Sequence, residues 1–233
     1  MTAMGTRRGS AAAVIAAGGT GRRMGGVRKQ YLELGGEPVL LRAVRPFVDP
    51  PGFGWVIVVL PTKELADPPP FLPPGVILVA GGAERGDSVR RGLEAVPDAA
   101  EVVVIHDAAR PLLARLVLDR VLDAVGEGLG AVAAVPVADT LKRVAPDGRI
   151  VATVERTGLW RAQTPQAFPR SMIVDAYVRA AEEGWVATDD AALVERYGGV
   201  VRVVPGDPRN LKLTHPEDVE LAERLLADPS RAR

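Results

Sequence analysis

Only four of the 29 basic residues of this chain are lysines: Lys29, Lys63, Lys142 and Lys212. Where any positive charge suffices the chain writes arginine, so a lysine marks a position where a compact ammonium aimed at one oxygen is not replaceable by a planar guanidinium. Lys63, in PTKE, reads as an ordinary surface lysine. Lys29 is different, because it closes the stretch VIAAGGTGRRMGGVRKQY, Val14 to Tyr31, which passes from apolar to glycine-rich to basic. A glycine turn offering backbone N–H groups, followed by Arg22, Arg23, Arg28 and Lys29, suits a triphosphate whose charge must be neutralised during reaction. Two familiar glycine signatures fail. A dinucleotide fingerprint needs a third glycine where Met24 stands, and a P-loop needs Lys-Ser or Lys-Thr where Val27 and Arg28 follow Gly26.

Further candidates follow the other apolar runs. In GGAERGDSV, Gly81 and Gly82 permit close backbone approach, and Ser88 stands where a helix begins, either as its N-cap or as a ligand contact. In HDAARP, Asp107 is placed for a ribose hydroxyl or a metal, or alternatively fixes its own loop, and Arg110 is placed for a phosphate. His106 has no histidine partner except His215, so no histidine-based metal site is expected. Asp189 and Asp190 look like a metal pair, but acids in the first turn of a helix are explained by its dipole. Asn210, the only asparagine, sits two residues before Lys212.

The elements that must position these residues alternate. Ala11 to Ala17, Trp55 to Leu60, Val76 to Ala80, Val102 to Ile105, Ala131 to Val135 and Val200 to Val204 are short, Val- and Ile-rich runs expected as strands buried on both faces. Amphipathic segments lie between and after them: Val39 to Phe47, Ser88 to Ala95, Leu116 to Val125, Ser171 to Glu182, Asp189 to Tyr197 and Pro216 to Leu226. The last helix is given a capping-box start from Thr214 and Glu217. This is the α/β pattern of a doubly wound, mostly parallel sheet with helices on both faces, in one domain spanning residues 1–233. The loops after the first, third, fourth and fifth strands then share one rim, where ligands bind. The proline-rich ADPPPFLPPG is a stiff surface connection, and the last residues, DPSRAR, are expected to fray.

One segment breaks the pattern. In Val137 to Trp160 two β-prone runs flank Pro146-Asp147-Gly148, a strong hairpin signal, so an antiparallel arm is expected to leave the sheet edge. An isolated hairpin is marginal in water and needs a surface, which a symmetric partner or its own subunit could offer.

Composition sets the class. With 233 residues, 47% hydrophobic and 25% charged, the chain can bury a full core. A formal net charge of zero implies no general affinity for nucleic acid or membrane surface, so an anion site must be a local cluster. No apolar run reaches membrane-spanning length. The start, MTAMGTRRGSAAAVIAAGG, faintly imitates a twin-arginine signal, but its apolar run is short and leads into the basic loop, so a buried first strand is expected. Without cysteine, disulfides, thiolate metal sites and cysteine nucleophiles are excluded, and a cytoplasmic location is the default. Few Cys, Asn and Gln with abundant Pro and Arg fit a heat-adapted protein or a biased genome.

Taken in order, GTGRRM with the K-Q-Y that follows, GGAERGDSV, HDAARP, PVADTLKR, TVERTGLWRAQTPQAF, TDDAALVE and NLKLTHPEDVELAE resemble the 2-C-methyl-D-erythritol 4-phosphate cytidylyltransferases of the non-mevalonate isoprenoid pathway. The resemblance covers nearly the whole chain. It implies a Rossmann-like nucleotidyltransferase fold, CTP as co-substrate, Mg2+ as cofactor, and a homodimer in which the 137–160 arm carries Arg156 into the neighbour's site. It further implies that Arg22 and Lys29 stabilise the transition state, and that Gly19 and its neighbours Ala16, Gly18 and Gly21 cradle the nucleotide. Ala17, Gly82 and Ser88 would hold the base, while Asp107 and Ala108 face the ribose. Lys212 and Arg156 would position the polyol phosphate with Thr140 and Thr164 nearby, and Mg2+ would sit mainly on the CTP phosphates. Two positions depart from the family's usual residues, Arg28 in place of proline and Ala83 in place of a polar residue. Ribitol 5-phosphate is the alternative acceptor. A silent nucleotide-binding module and an NAD-dependent oxidoreductase are the alternatives of other classes.

Overall fold

The computed structural model describes residues 8–18, 28–50 and 52–228. Gly19, Gly21, Arg22 and Arg23, as well as most of DPSRAR and the start of the chain, lie outside the described residues. The first strand, β1 (Ala11–Ala16), is the buried run expected from the sequence, and it shows how the core divides. Ala11, Ala13 and Ile15 point to one face of the sheet and Ala12 and Val14 to the other, as a period of two requires.

Further along come a short hairpin, β2 (Glu33–Leu34) and β3 (Glu37–Pro38), and helix α1 (Val39–Val48). Then follow β4 (Trp55–Leu60), β5 (Ile77–Ala80), α2 (Arg85–Glu94), β6 (Val102–Asp107), α3 (Arg115–Ala124) and β7 (Leu129–Pro136). The arm is β8 (Leu141–Val144) and β9 (Ile150–Val154), and the chain returns through β10 (Trp160–Pro169). It ends with α4 (Arg170–Glu183), α5 (Asp190–Arg196), β11 (Val200–Pro205) and α6 (Pro216–Ala227). Leu40, Ala43, Val44 and Phe47 of α1 and Val117, Leu118, Val121 and Leu122 of α3 cover the Ile15 face. Val89 and Leu93 of α2, Ile173, Ala176 and Tyr177 of α4, and Leu193 and Val194 of α5 cover the Val14 face. Each fully buried large side chain contributes about 1.5–3 kcal/mol, so the helices' apolar stripes settle which face each covers. Leu34, Val39, Leu112, Leu213 and Ala222 make a third cluster, which seats α6 against the β2–β3 hairpin.

The central sheet has the order β11-β7-β10-β6-β1-β4-β5. All neighbours are parallel except β10, which runs antiparallel between β6 and β7. Here the structure corrects the sequence reading, which has the arm ending at Trp160 and no strand between it and the helix expected from Ser171. WRAQTPQAFP does not look like a central strand because Gln163, Thr164, Pro165 and Gln166 interrupt it. The register shifts between Ala162 and Gln166, the kind of irregularity that tolerates a proline, and all three polar side chains are buried with partners. The arm forms the expected hairpin, with Gly148 at φ +86 in the turn and its N–H donating to the Ala145 carbonyl at 3.0 Å, but it joins the interior strands β7 and β10 and does not leave a sheet edge.

Two caps differ from expectation. Helix α2 begins at Arg85 with Glu84 as its N-cap, so Ser88 lies inside the first turns and does not cap. Helix α6 is capped one residue later than expected: His215 is the N-cap, and Asp218, not Glu217, accepts from the N–H of His215 at 2.7 Å and of Thr214 at 2.6 Å.

Candidate active site

Asp107 is the last residue of β6, in the centre of the sheet and at the carboxyl end where ligands bind. Its buried carboxylate is shared by two cations. Arg85 Nε donates to Oδ1 at 2.8 Å, and Lys212 Nζ donates to Oδ2 at 2.7 Å. Arg85 also sets its fork on Asp190, at 3.0 and 2.7 Å, and the Tyr177 hydroxyl donates to the same carboxylate at 2.6 Å. Burial alone would raise the Asp107 pKa, but Arg85 and then Lys212 outweigh it and hold the carboxyl well below the usual carboxylate range. Burial likewise opposes charge on Arg85, and Asp190 and Asp107 overcome it, so the guanidinium stays protonated. For Tyr177, burial and then Asp190 push the phenol well above its ordinary value.

The neighbouring His106 is fully buried, and both its ring nitrogens have partners within the chain. Its Nε2 lies 3.1 Å from the Arg110 carbonyl, which can only accept, so Nε2 carries the proton. Nδ1 therefore accepts from the Thr164 hydroxyl at 3.0 Å, while that hydroxyl accepts from the Asp107 N–H at 3.0 Å. Burial pushes the imidazole down to about 4, so it is neutral near pH 7. Thr164 thus orients the backbone of Asp107 from the antiparallel strand.

The segment carrying Lys212 is stitched to the sheet by the lone asparagine. Asn210 Nδ2 donates to the Thr164 carbonyl at 2.8 Å, and the Asn210 carbonyl accepts from Arg110 Nη1 at 2.8 Å and Gln163 Nε2 at 3.3 Å. One residue beyond Lys212, the Leu213 carbonyl accepts from Lys29 Nζ at 2.8 Å. The two lysines singled out by their rarity therefore converge on residues 210–213 from opposite ends of the chain.

The rest of the rim is tight. Ser88 Oγ accepts from the Gly82 N–H and donates to the Glu84 carbonyl, both at 3.1 Å. A Cβ on Gly18 would stand 2.8 Å from Ser88 Oγ, so glycine there is a matter of space. Ala108 N–H donates to the Ala16 carbonyl at 3.2 Å, and Gln30 Nε2 donates to the Ala17 carbonyl at 3.2 Å. Thus Ala16, Ala17 and Gly18 adjoin Gly82 and Ser88 on one side and Asp107 and Ala108 on the other. Arg110, Thr164, Lys212 and Lys29 join them. Thr140 and Arg156 are not brought in: both are exposed on the arm, and the Arg156 guanidinium donates to the Ala138 carbonyl.

Asp189 acts as the helix-start reading expects, as N-cap of α5, accepting from the Ala192 N–H at 3.0 Å. Asp190 does not: it is fully buried and its carboxylate is paired with Arg85. Among the described residues no three His, Cys, Asp or Glu side chains group as metal ligands. Arg85 itself is the residue of this charge cluster that the sequence reading missed. The sequence carried no signal for it, since the expected helix begins at Ser88 and only the structure makes Arg85 the first residue of α2.

A mostly parallel sheet with the end of β1, a Gly-Gly turn and a cation-held aspartate on one rim defines an α/β nucleotidyltransferase fold. Residues 11–228 match the sequence model of the 2-C-methyl-D-erythritol 4-phosphate cytidylyltransferase family, and the chain belongs to that family. It is 48% identical over 223 residues to the protein of that name from Symbiobacterium thermophilum, covering 94% of this chain and 93% of that one. It is 43% identical over 221 residues to the one from Syntrophus aciditrophicus, covering 92% and 94% of the two chains. The crystal structure of 2-C-methyl-D-erythritol 4-phosphate cytidylyltransferase from Thermus thermophilus superposes with a TM-score of 0.80 at 34% identity, covering 93% of this chain and 98% of that chain.

Proposed function

We propose that this chain transfers CMP from CTP to 2-C-methyl-D-erythritol 4-phosphate, giving 4-diphosphocytidyl-2-C-methyl-D-erythritol and pyrophosphate in isoprenoid precursor synthesis. The observation that carries the reading is the family match across residues 11–228, joined to a rim where the expected contacts from Ala16 to Gly18, Gly82, Ser88, Asp107 and Lys212 lie together. A phosphate oxygen of the acceptor attacks the α-phosphorus of CTP in line, the bond to the bridging oxygen breaks, and pyrophosphate leaves with that electron pair. No side-chain nucleophile is needed, so the chain contributes positioning and charge. Ala17, Gly82 and Ser88 receive the base, and Asp107 and Ala108 the ribose. Lys29, Arg22 and Arg110 neutralise charge on the phosphates, while Lys212 and the partner's copy of Arg156 position the acceptor, with Thr164 and the partner's copy of Thr140 nearby.

Mg2+ completes this reading as a companion of CTP. Both oxygens of Asp107 already face Arg85 and Lys212, and the described residues form no acidic cage, so the nucleotide phosphates supply most of its ligands. When bound, it offsets triphosphate charge. The homodimer rests on the arm, whose Leu141, Val144, Ile150 and Val151 are exposed and would be covered by a second subunit. Among the described residues no helix is long and apolar enough to cross a membrane, and a CTP-dependent reaction fits the cytoplasm. The test is pyrophosphate release from CTP with each polyol phosphate in turn. Methylerythritol phosphate should be used far better than ribitol 5-phosphate, and CTP better than UTP or ATP; comparable kcat/KM for ribitol 5-phosphate would overturn the acceptor assignment.

A further inference from the structure

Residues 28–31, at the exit of the glycine-rich segment, are tied to separate parts of the fold. Lys29 reaches the Leu213 carbonyl, and buried Gln30 reaches the Ala17 carbonyl. The other two side chains share one acid: Arg28 pairs with the Glu64 carboxylate, and the Tyr31 hydroxyl donates to it. Tyr31 also meets Phe71 edge-on, with ring centroids 6.3 Å apart. Glu64 ends a single 3-10 turn, Thr62–Glu64, that follows directly on β4, and its side chain is only 11% exposed. A nearly desolvated carboxylate is therefore anchored to a central strand and grips the turn exit on both sides of Lys29.

We infer that Glu64 is a positioning residue for the phosphate end of the site, acting through Lys29; this rests on the reading of Lys29 given above. A lysine ammonium rides on a flexible four-carbon stem, so its aim depends on where its backbone stands. When the ammonium turns from the Leu213 carbonyl to a phosphate oxygen, that tie is lost. The backbone then stays in place because Glu64 holds Arg28 before it and Tyr31 after it, and Gln30 holds Ala17. An exit free to shift would leave CTP bound but the ammonium misplaced at the moment of transfer.

The experiment uses Glu64→Ala in the full chain, with turnover measured at saturating substrates and CTP affinity by calorimetric titration without acceptor. Turnover should fall roughly tenfold while the CTP Kd changes by less than about threefold, a split that a merely stabilising ion pair would not produce. In a Lys29→Ala background, Glu64→Ala should cost no further turnover, because it works through that ammonium. Unchanged turnover in a folded Glu64→Ala protein, or a full additional loss in the Lys29→Ala background, overturns the inference. If Glu64→Ala does not fold, Tyr31→Phe, which removes one of the two ties, carries the same comparison with a smaller loss. Normal turnover by Lys29→Ala alone would strike the reading of Lys29 and this inference with it, whereas a slow Lys29→Ala beside an unaffected Glu64→Ala strikes only the inference.

Discussion

Arg85 and Asp190 form a bidentate pair, at 3.0 and 2.7 Å, between the first residue of α2 and the first residue of α5, and the free edge of that guanidinium meets Asp107. Two helix starts are thereby joined at the acid that closes β6. Arg85→Gln would leave two buried carboxylates short of a cation and should lower unfolding free energy by about 3 kcal/mol, the low end for a broken buried pair because Arg85 is 29% exposed. Asp190→Asn leaves Arg85 its partner Asp107 and should cost less, and the double variant should cost less than the sum. Urea unfolding of the three variants checks this; strictly additive losses would contradict a shared network.

Stability should fall on mild acidification because of His106. Its folded pKa is pushed by burial from 6.5 to about 4, so between those values the unfolded chain takes up a proton that the folded chain refuses. Stabilisation is complete above about pH 6.5 and is lost as pH drops toward 4, by about 3 kcal/mol in all. Asp107 has the opposite starting form: its depressed pKa gives stability that is lost only below its ordinary value of 3.8. Urea unfolding at pH 7 and pH 4.5 should show the loss, and His106→Gln should flatten it. An unchanged slope in that variant would mean that another group titrates.

Lys29→Ala should slow turnover roughly a hundredfold or more while leaving CTP affinity much less changed, since the proposed contact matters most as charge builds in the transition state. Single-turnover rates beside equilibrium CTP binding separate the two. Loss of CTP binding with normal reaction of whatever binds would reverse the assignment.

The shared site is tested by mixing inactive Arg22→Ala and Arg156→Ala chains and allowing subunit exchange. If Arg156 serves the neighbour, each mixed dimer has one intact site, and equal mixing restores about a quarter of wild-type activity. If the arm serves its own subunit, every site in the mixture keeps a defect. No recovery, with exchange confirmed by mass after labelling one of the two chains with heavy isotopes, rejects the trans arrangement.

Local pattern alone made much of this molecule readable. Runs such as Val102 to Ile105 declare buried strands because a strand covered on both faces must be apolar at every position, and Asp147-Gly148 declares a turn because glycine accepts φ +86 there. Lys29 and Lys212 stood out through their rarity, and Asp107 through its place after a strand. What the pattern could not carry is partnership across the sheet. Strand β10 hides behind Gln163, Thr164 and Gln166, polar residues that become acceptable in the core only when Asp207, His106 and Asp189, distant in sequence, satisfy them. Arg85 reads as one more surface arginine until α5 brings Asp190 beneath it, and Asn210 reads as a loop residue until it joins β10 to the segment that carries Lys212. Periodicity reports whether a position is covered, but the identity of the covering atoms depends on strand order, and the insertion of β10 between β6 and β7 was decided only when the whole chain packed.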